Sequence, residues 1–92
     1  MPMIYSQFED ELLVRIRASA DAKLAGNPSS RGQVAVIALA CETWPEVSEH
    51  WARRAVQRFK EQGWVAPVVE ANSGEIILEL TGEGMRKVDS LG

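Results

Sequence analysis

The sequence predicts a mainly α fold with a small β-hairpin, in a single domain that spans residues 1–92. Three observations favour this fold class. An apolar stripe at helical spacing runs through the N-terminal quarter, a second amphipathic segment covers residues 46–62, and two β-like runs flank the reversal ANSG at 71–74. A chain of this length buries roughly 60% of its unfolded surface, which is enough for one modest core and not for two.

Composition and charge restrict the class of protein. Hydrophobic residues make up 46% and charged residues 25%, which is ordinary for a globular domain. The longest apolar run, Val34–Cys41, is far shorter than the roughly 20 residues that span a bilayer, and the N-terminus lacks the pattern of a secretory signal. The single cysteine cannot form an internal disulfide, and no Cys/His cluster has zinc-ligand spacing. We therefore expect a cytoplasmic protein without membrane contact, metal or cofactor.

The first helix is predicted over residues 7–25. Its apolar side chains recur every four residues, at Phe8, Leu12, Ile16, Ala20 and Leu24. Ser6 and Glu9 fit a capping box, in which each side chain accepts a hydrogen bond from the other residue's backbone amide. Gly26, followed by Asn27 and Pro28, is a typical helix stop.

The second helix is predicted to begin after a cap at Ser29 or Ser30 and to end near Glu42. Residues 34–41 are apolar almost all round, which is typical of a helix buried on most sides. Residues 30–33 resemble a second capping box, and Pro45 disfavours helical geometry in the residue before it.

The third helix, at 46–62, separates apolar from polar residues. One half of the cylinder carries Val47, Trp51, Ala52, Ala55, Val56 and Phe59. The other half carries Glu49, His50, Arg53, Arg54, Gln57, Lys60 and Glu61, with Arg58 at the border. Trp51 and Phe59 are expected to anchor the core because they share the apolar face. Four cations thus lie on one short segment of a chain whose net charge is −3.

The C-terminal part is predicted to form two strands and a short helix. The runs at 64–70 and 75–80 are the strands, and Pro67 places the first of them at a sheet edge because proline cannot donate to a ladder. Thr81 is expected to cap a last helix that carries Met85 and Val88.

This succession of elements resembles the winged helix-turn-helix superfamily, of the MarR-like and PadR-like kind. The resemblance is most specific in SEHWARRAVQRFKEQGWVAPVVEANSGEIILELTGEGM, where a helix runs into the turn KEQGWV and LTGEG closes the hairpin. It covers residues 30–90, with the first helix as a leading helix. It implies a three-helix core, a two-stranded wing and a short C-terminal helix.

The resemblance also implies a function: a small DNA-binding transcriptional regulator whose third helix enters the major groove. The residues that would contact double-stranded DNA are Ser48, His50, Arg53, Arg54, Gln57, Arg58, Lys60 and Arg31. Arginine can bond bidentately to guanine and glutamine to adenine, and the cations would supply affinity by neutralising phosphates. Arg31, beside the start of the second helix, could approach a phosphate.

The wing departs from the pattern of DNA-binding members, and two alternatives stay open. Nothing from Gln62 to Met85 is cationic, whereas this stretch contains Glu70, Glu75, Glu79 and Glu83. In the first alternative, the polar half of the third helix is an ordinary solvated surface whose charges form i,i+4 pairs. Alternatively, the domain would be a protein interaction module that binds a partner through the acidic wing and does not bind DNA.

Two further expectations concern assembly and chemistry. Apolar residues left over on the terminal helices could form a homodimer contact or could pack within the chain; they are Tyr5, Leu13, Val14, Met85 and Leu91. Cys41, on a helix predicted to be buried, is expected to act as a small hydrophobe and not as a nucleophile for His50. The sequence therefore predicts no catalytic residues and no enzyme.

Overall fold

A computed structural model describes residues 4–26, 32–70 and 74–91. The elements, in chain order, are α1 (Tyr5–Gly26), β1 (Val34–Ala35), α2 (Val36–Thr43), α3 (Glu49–Glu61), β2 (Val65–Glu70), β3 (Ile76–Leu80) and α4 (Gly82–Leu91). The fold is mainly helical with a small antiparallel sheet, as predicted at that level. The described sheet has three strands, whereas the sequence predicted two.

The strand that the sequence did not predict is β1. It pairs antiparallel with β3, with Val34 opposite Leu78 and Ala35 opposite Ile77. The strand order is β1-β3-β2, so β2 lies at an edge as Pro67 predicted, and its register is irregular between Pro67 and Val69. The prediction that the helix already includes Val34 and Ala35 was wrong, because the pairing with β3 holds these residues extended before α2 begins at Val36.

A single cluster of buried side chains joins the helices to one face of the sheet. The predicted stripe of α1 is buried at Phe8, Leu12, Ile16 and Ala20, and Leu24 is partly exposed. Leu13 is also buried, so it is not one of the leftover residues available for a dimer contact. Val14 and Met85 are exposed, and Tyr5 and Leu91 are half-buried against the core.

Helix α1 begins two residues before the predicted start at residue 7. Tyr5 is its first residue, and the Phe8 amide donates to the Ile4 carbonyl oxygen at 3.0 Å. Ser6 therefore lies inside the helix and is exposed, and the Glu9 carboxylate bonds to Arg58 of α3 instead of reaching back to Ser6. The capping-box prediction was wrong because the ring of Tyr5 packs on Trp51 and extends the helix.

Helix α2 is capped by a side chain from the hairpin. The Glu75 carboxylate accepts the amides of Ile37 at 2.8 Å and Ala38 at 3.0 Å, and also the amide of Ile76 at 3.1 Å. Negative charge at a helix N-terminus is favourable because the first amides have no partner within the helix. The predicted cap at Ser30 lies outside the described residues. Cys41 is exposed, so its predicted burial was wrong.

Helix α4 begins at the cap that the sequence predicted. The Thr81 hydroxyl accepts the Gly84 amide at 3.1 Å and donates to the Gly63 carbonyl oxygen at 2.6 Å. The Thr81 amide donates to the Trp64 carbonyl oxygen at 3.0 Å. Gly84 lies so close to Trp64 that a β-carbon at position 84 would stand 2.0 Å from the same oxygen. The start of α4 thus packs directly on the turn that follows α3.

Candidate nucleic-acid interface

The candidate interface is α3, which is shorter at its start than the predicted range 46–62. It runs from Glu49 to Glu61, and Ser48 is its N-cap with extended backbone angles. The Ser48 hydroxyl accepts the Trp51 amide at 3.4 Å. Ser48 is exposed, and its side chain caps the start of the helix.

On the hairpin side of α3, the guanidinium of Arg53 has two partners. Its Nη2 donates to the Gly74 carbonyl oxygen at 2.5 Å and lies 3.3 Å from a Glu49 carboxylate oxygen. Gly74 has a φ of +89°, a backbone geometry that favours glycine. Arg53 therefore attaches the turn end of the hairpin to α3, and only 40% of its side chain is exposed.

On the α1 side of α3, two other cations meet the first turns of α1. The guanidinium of Arg54 lies 4.5 Å from the centre of the Tyr5 ring, and Arg58 Nε lies 3.1 Å from Glu9 Oε1. Tyr5 in turn packs edge-on against Trp51, with ring centres 5.4 Å apart. These contacts join α1 to α3 through one aromatic ring and one carboxylate.

Its surroundings raise the pKa of the Tyr5 hydroxyl. Its oxygen is buried and makes no hydrogen bond of normal geometry within the described residues, although the Glu9 carboxylate is close enough to act on it. Burial, followed by the negative Glu9, raises the pKa of Tyr5 from 10.0 to about 12, against the smaller opposing effect of Arg54 and Arg58.

The outward strip of α3 lies between these two sides. His50 and Gln57 are exposed one above the other, and Gln57 Nε2 donates to Glu61 at 3.4 Å. Lys60 is exposed and makes no ion pair with any of the described residues. A shallow hollow of about 670 Å³ opens where this strip meets α1, lined by Tyr5, Ser6, Glu9, His50, Arg53, Arg54, Gln57, Arg58 and Glu61.

The structure thus places seven of the eight predicted contact residues in different situations. His50, Gln57 and Lys60 are exposed, Arg54 and Arg58 are engaged by α1, Arg53 is engaged by the hairpin, and Ser48 caps the helix. The eighth, Arg31, lies outside the described residues. Sequence reasoning found the helix but not the residues of α1 that contact it.

The carboxylates of the hairpin and of the start of α4 largely have partners within the chain. Glu75 caps α2, Glu79 accepts from Gln33 Nε2 at 3.4 Å, and Glu83 pairs with Arg86 at 2.6 Å. The side chain of Glu70 is not described. The Glu75 carboxylate is therefore directed at α2.

Metal binding and membrane crossing require features of other kinds. Among residues 4–26, 32–70 and 74–91, no group of three or more His, Cys, Asp or Glu side chains could hold a metal ion. In the same residues, no helix has the length and apolar character needed to cross a membrane.

Comparisons of the chain with protein-family models, with curated proteins and with solved structures found no match.

Proposed function

We propose that this chain is a winged helix domain that binds double-stranded DNA with α3 in the major groove. The observation that carries the proposal is the exposed strip of His50, Gln57 and Lys60 on a capped helix that leads directly into the hairpin. An α-helix fits the major groove, and histidine and glutamine present donors and acceptors for base edges.

The arrangement of the elements supports the winged helix part of the proposal. Helix α2 packs against α3. Strand β1 pairs with β3 of the hairpin and completes a three-stranded sheet beside these helices. In winged helix domains the recognition helix precedes the hairpin in this way, and the hairpin lies next to it as the wing. Arg53 supports the same arrangement, because its bond to Gly74 holds the turn end of the hairpin against α3.

The charge distribution indicates which kind of binding to expect. Arg54, Arg58 and Lys60 are the cations of α3 able to approach phosphates, while the hairpin contributes none. At most three phosphate contacts predict a slope no steeper than about −2.7 for log K against log salt. We therefore expect weak binding to any duplex, strongest at low salt, on which base contacts from His50 and Gln57 impose a preference.

The experiment is an unbiased duplex selection followed by anisotropy titrations on selected and random duplexes over a range of salt concentrations. The test variant is Arg54→Gln combined with Lys60→Gln, which we expect to make the salt slope shallower by about 2. The control is Arg86→Gln combined with Lys87→Gln on α4, which removes the same charge elsewhere. Absence of binding to every duplex at low salt would refute the proposal.

The alternative is a winged helix module that binds a protein partner at the hairpin. One observation favours it: β2 is a sheet edge, and Ala66, Pro67 and Val68 on it are exposed. Pro67 and the irregular register beside it oppose addition of another strand, however, and Glu75 is occupied at α2. Capture of a partner that is lost on substituting Val68 but kept on substituting Arg54 would support this alternative.

The homodimer also remains a proposal. Val14 and Met85, which stay exposed, would have to take part in the contact. Sedimentation of the wild type beside Val14→Asp would test it.

A further inference from the structure

The contacts between α1 and α3 bear directly on DNA affinity. Two of the three cations assigned to phosphates, Arg54 and Arg58, are held by Tyr5 and Glu9 in the first turns of α1. The two contacts differ in their effect on the charge of the arginine. The Tyr5 ring leaves the charge of Arg54 intact, whereas the Glu9 carboxylate neutralises the charge of Arg58 at 3.1 Å.

Glu9 is well placed to compete with a phosphate. Its side chain is only 14% exposed, so solvent screens it weakly, whereas Arg58 is 54% exposed and faces outward. A carboxylate and a phosphate oxygen bind guanidinium in the same way, through charge-assisted hydrogen bonds. The Glu9 carboxylate thus occupies the position beside Arg58 that a DNA phosphate would otherwise take.

We propose that Glu9 is an affinity-setting residue: it holds Arg58 in an autoinhibitory contact that weakens DNA binding by α3. This inference rests on the proposed function of α3. In the free protein Glu9 pairs with Arg58, and a phosphate that approaches Arg58 meets a neutralised cation. Removing the charge of Glu9 while keeping its shape returns Arg58 to the phosphate-binding set.

The central variant is Glu9→Gln, measured by anisotropy on a random-sequence duplex between low and moderate salt. One additional phosphate contact steepens the salt slope by about 0.9, which corresponds to binding about eightfold tighter at 0.1 M salt. The matched control is Glu11→Gln on the same helix. It removes the same charge from an exposed residue whose only side-chain bond in the described structure is to Gln7, and we expect it to leave the slope unchanged.

Arg58→Gln completes a thermodynamic cycle. Because Glu9 already neutralises Arg58, we expect Arg58→Gln alone to lower DNA affinity by less than it does in the Glu9→Gln background. In the Glu9→Gln background the same substitution should remove the whole gain in affinity. Thermal melting of each variant establishes that the proteins compared are folded.

The outcomes separate the two proposals. If no variant binds the duplex at low salt, the proposed function fails and this inference fails with it. If the wild type binds but Glu9→Gln and Glu11→Gln bind alike, α3 still contacts DNA and the role of Glu9 is refuted. If Glu9→Gln gains affinity equally with and without Arg58, the contact is not autoinhibitory and the inference is again refuted.

Discussion

Gly84 offers the sharpest test of the packing described above. A β-carbon at this position would lie 2.0 Å from the Trp64 carbonyl oxygen and 2.9 Å from Leu80 Cδ2. Contacts below 3.0 Å are essentially never found, so Gly84→Ala requires α4 to move by at least about 1 Å. The first of these neighbours is backbone, which cannot rotate away. We therefore expect this substitution to destabilise the fold although alanine favours helices.

The magnitude follows from three contributions. Overpacking typically costs about 1–3 kcal/mol. The shift also disturbs the hydrogen bonds from Thr81 to Trp64 and Gly63, each worth about 1 kcal/mol net. Helix propensity returns up to about 1 kcal/mol. The free energy of unfolding should therefore fall by about 2–4 kcal/mol, which lowers Tm by about 10–30 °C in a domain of this size.

The assay is denaturant and thermal unfolding followed by circular dichroism. Gly82→Ala is the matched control, because it lies in the same helix and no atom stands within 4 Å of the added carbon. It should leave the free energy of unfolding unchanged or raise it by up to about 1 kcal/mol. If the two substitutions change stability by the same amount, α4 does not pack on Trp64 as described.

The remaining predictions concern a helix cap and a titration. Ser48→Ala should lower the free energy of unfolding by about 1 kcal/mol in denaturant melts, because it removes the cap of α3. Ser6→Ala, inside α1, should change the free energy of unfolding by no more than about 0.5 kcal/mol. A loss of stability at Ser6 and none at Ser48 would contradict both assignments. Tyr5, the only tyrosine, should ionise near pH 12 when its ultraviolet absorbance is followed, and a midpoint near 10 would contradict its burial. Because the folded pKa is raised, the stability that Tyr5 contributes is fully present below pH 10 and is lost as the pH rises from 10 through 12; Tyr5→Phe should remove this part of the pH dependence.

The elements that the sequence predicted well are those with a long internal signal. The four-residue stripe of α1 and the two-faced pattern of α3 each repeat over several turns, and Thr81 marks the start of α4 by its chemistry. In contrast, β1 is two residues long and lies in an apolar run that suits a helix equally well. Its partner, β3, lies more than 40 residues away, so no local pattern could reveal it.

The candidate site was predictable only in part for the same reason. Local spacing identified the polar side of α3, but not which of its cations would be engaged. Glu9 meets Arg58 across 49 residues of sequence, and the Arg53 bond to Gly74 spans 21. The residues around Ser6 and Glu9 also matched a capping box. That local match hid the tertiary role of Glu9, since the carboxylate is more favourably placed beside a guanidinium than beside one amide.

The Glu75 carboxylate makes α2 and the hairpin a single cooperative unit. Its oxygens belong to the hairpin, while two of the amides that they accept belong to the first turn of α2. A fluctuation that lifts the turn end of the hairpin would therefore remove the partner of the Ile37 and Ala38 amides at the same moment. Hydrogen exchange at these two positions reports the opening of a strand that lies far from them in the chain, so amide protons of a helix become the natural probe of hairpin motion.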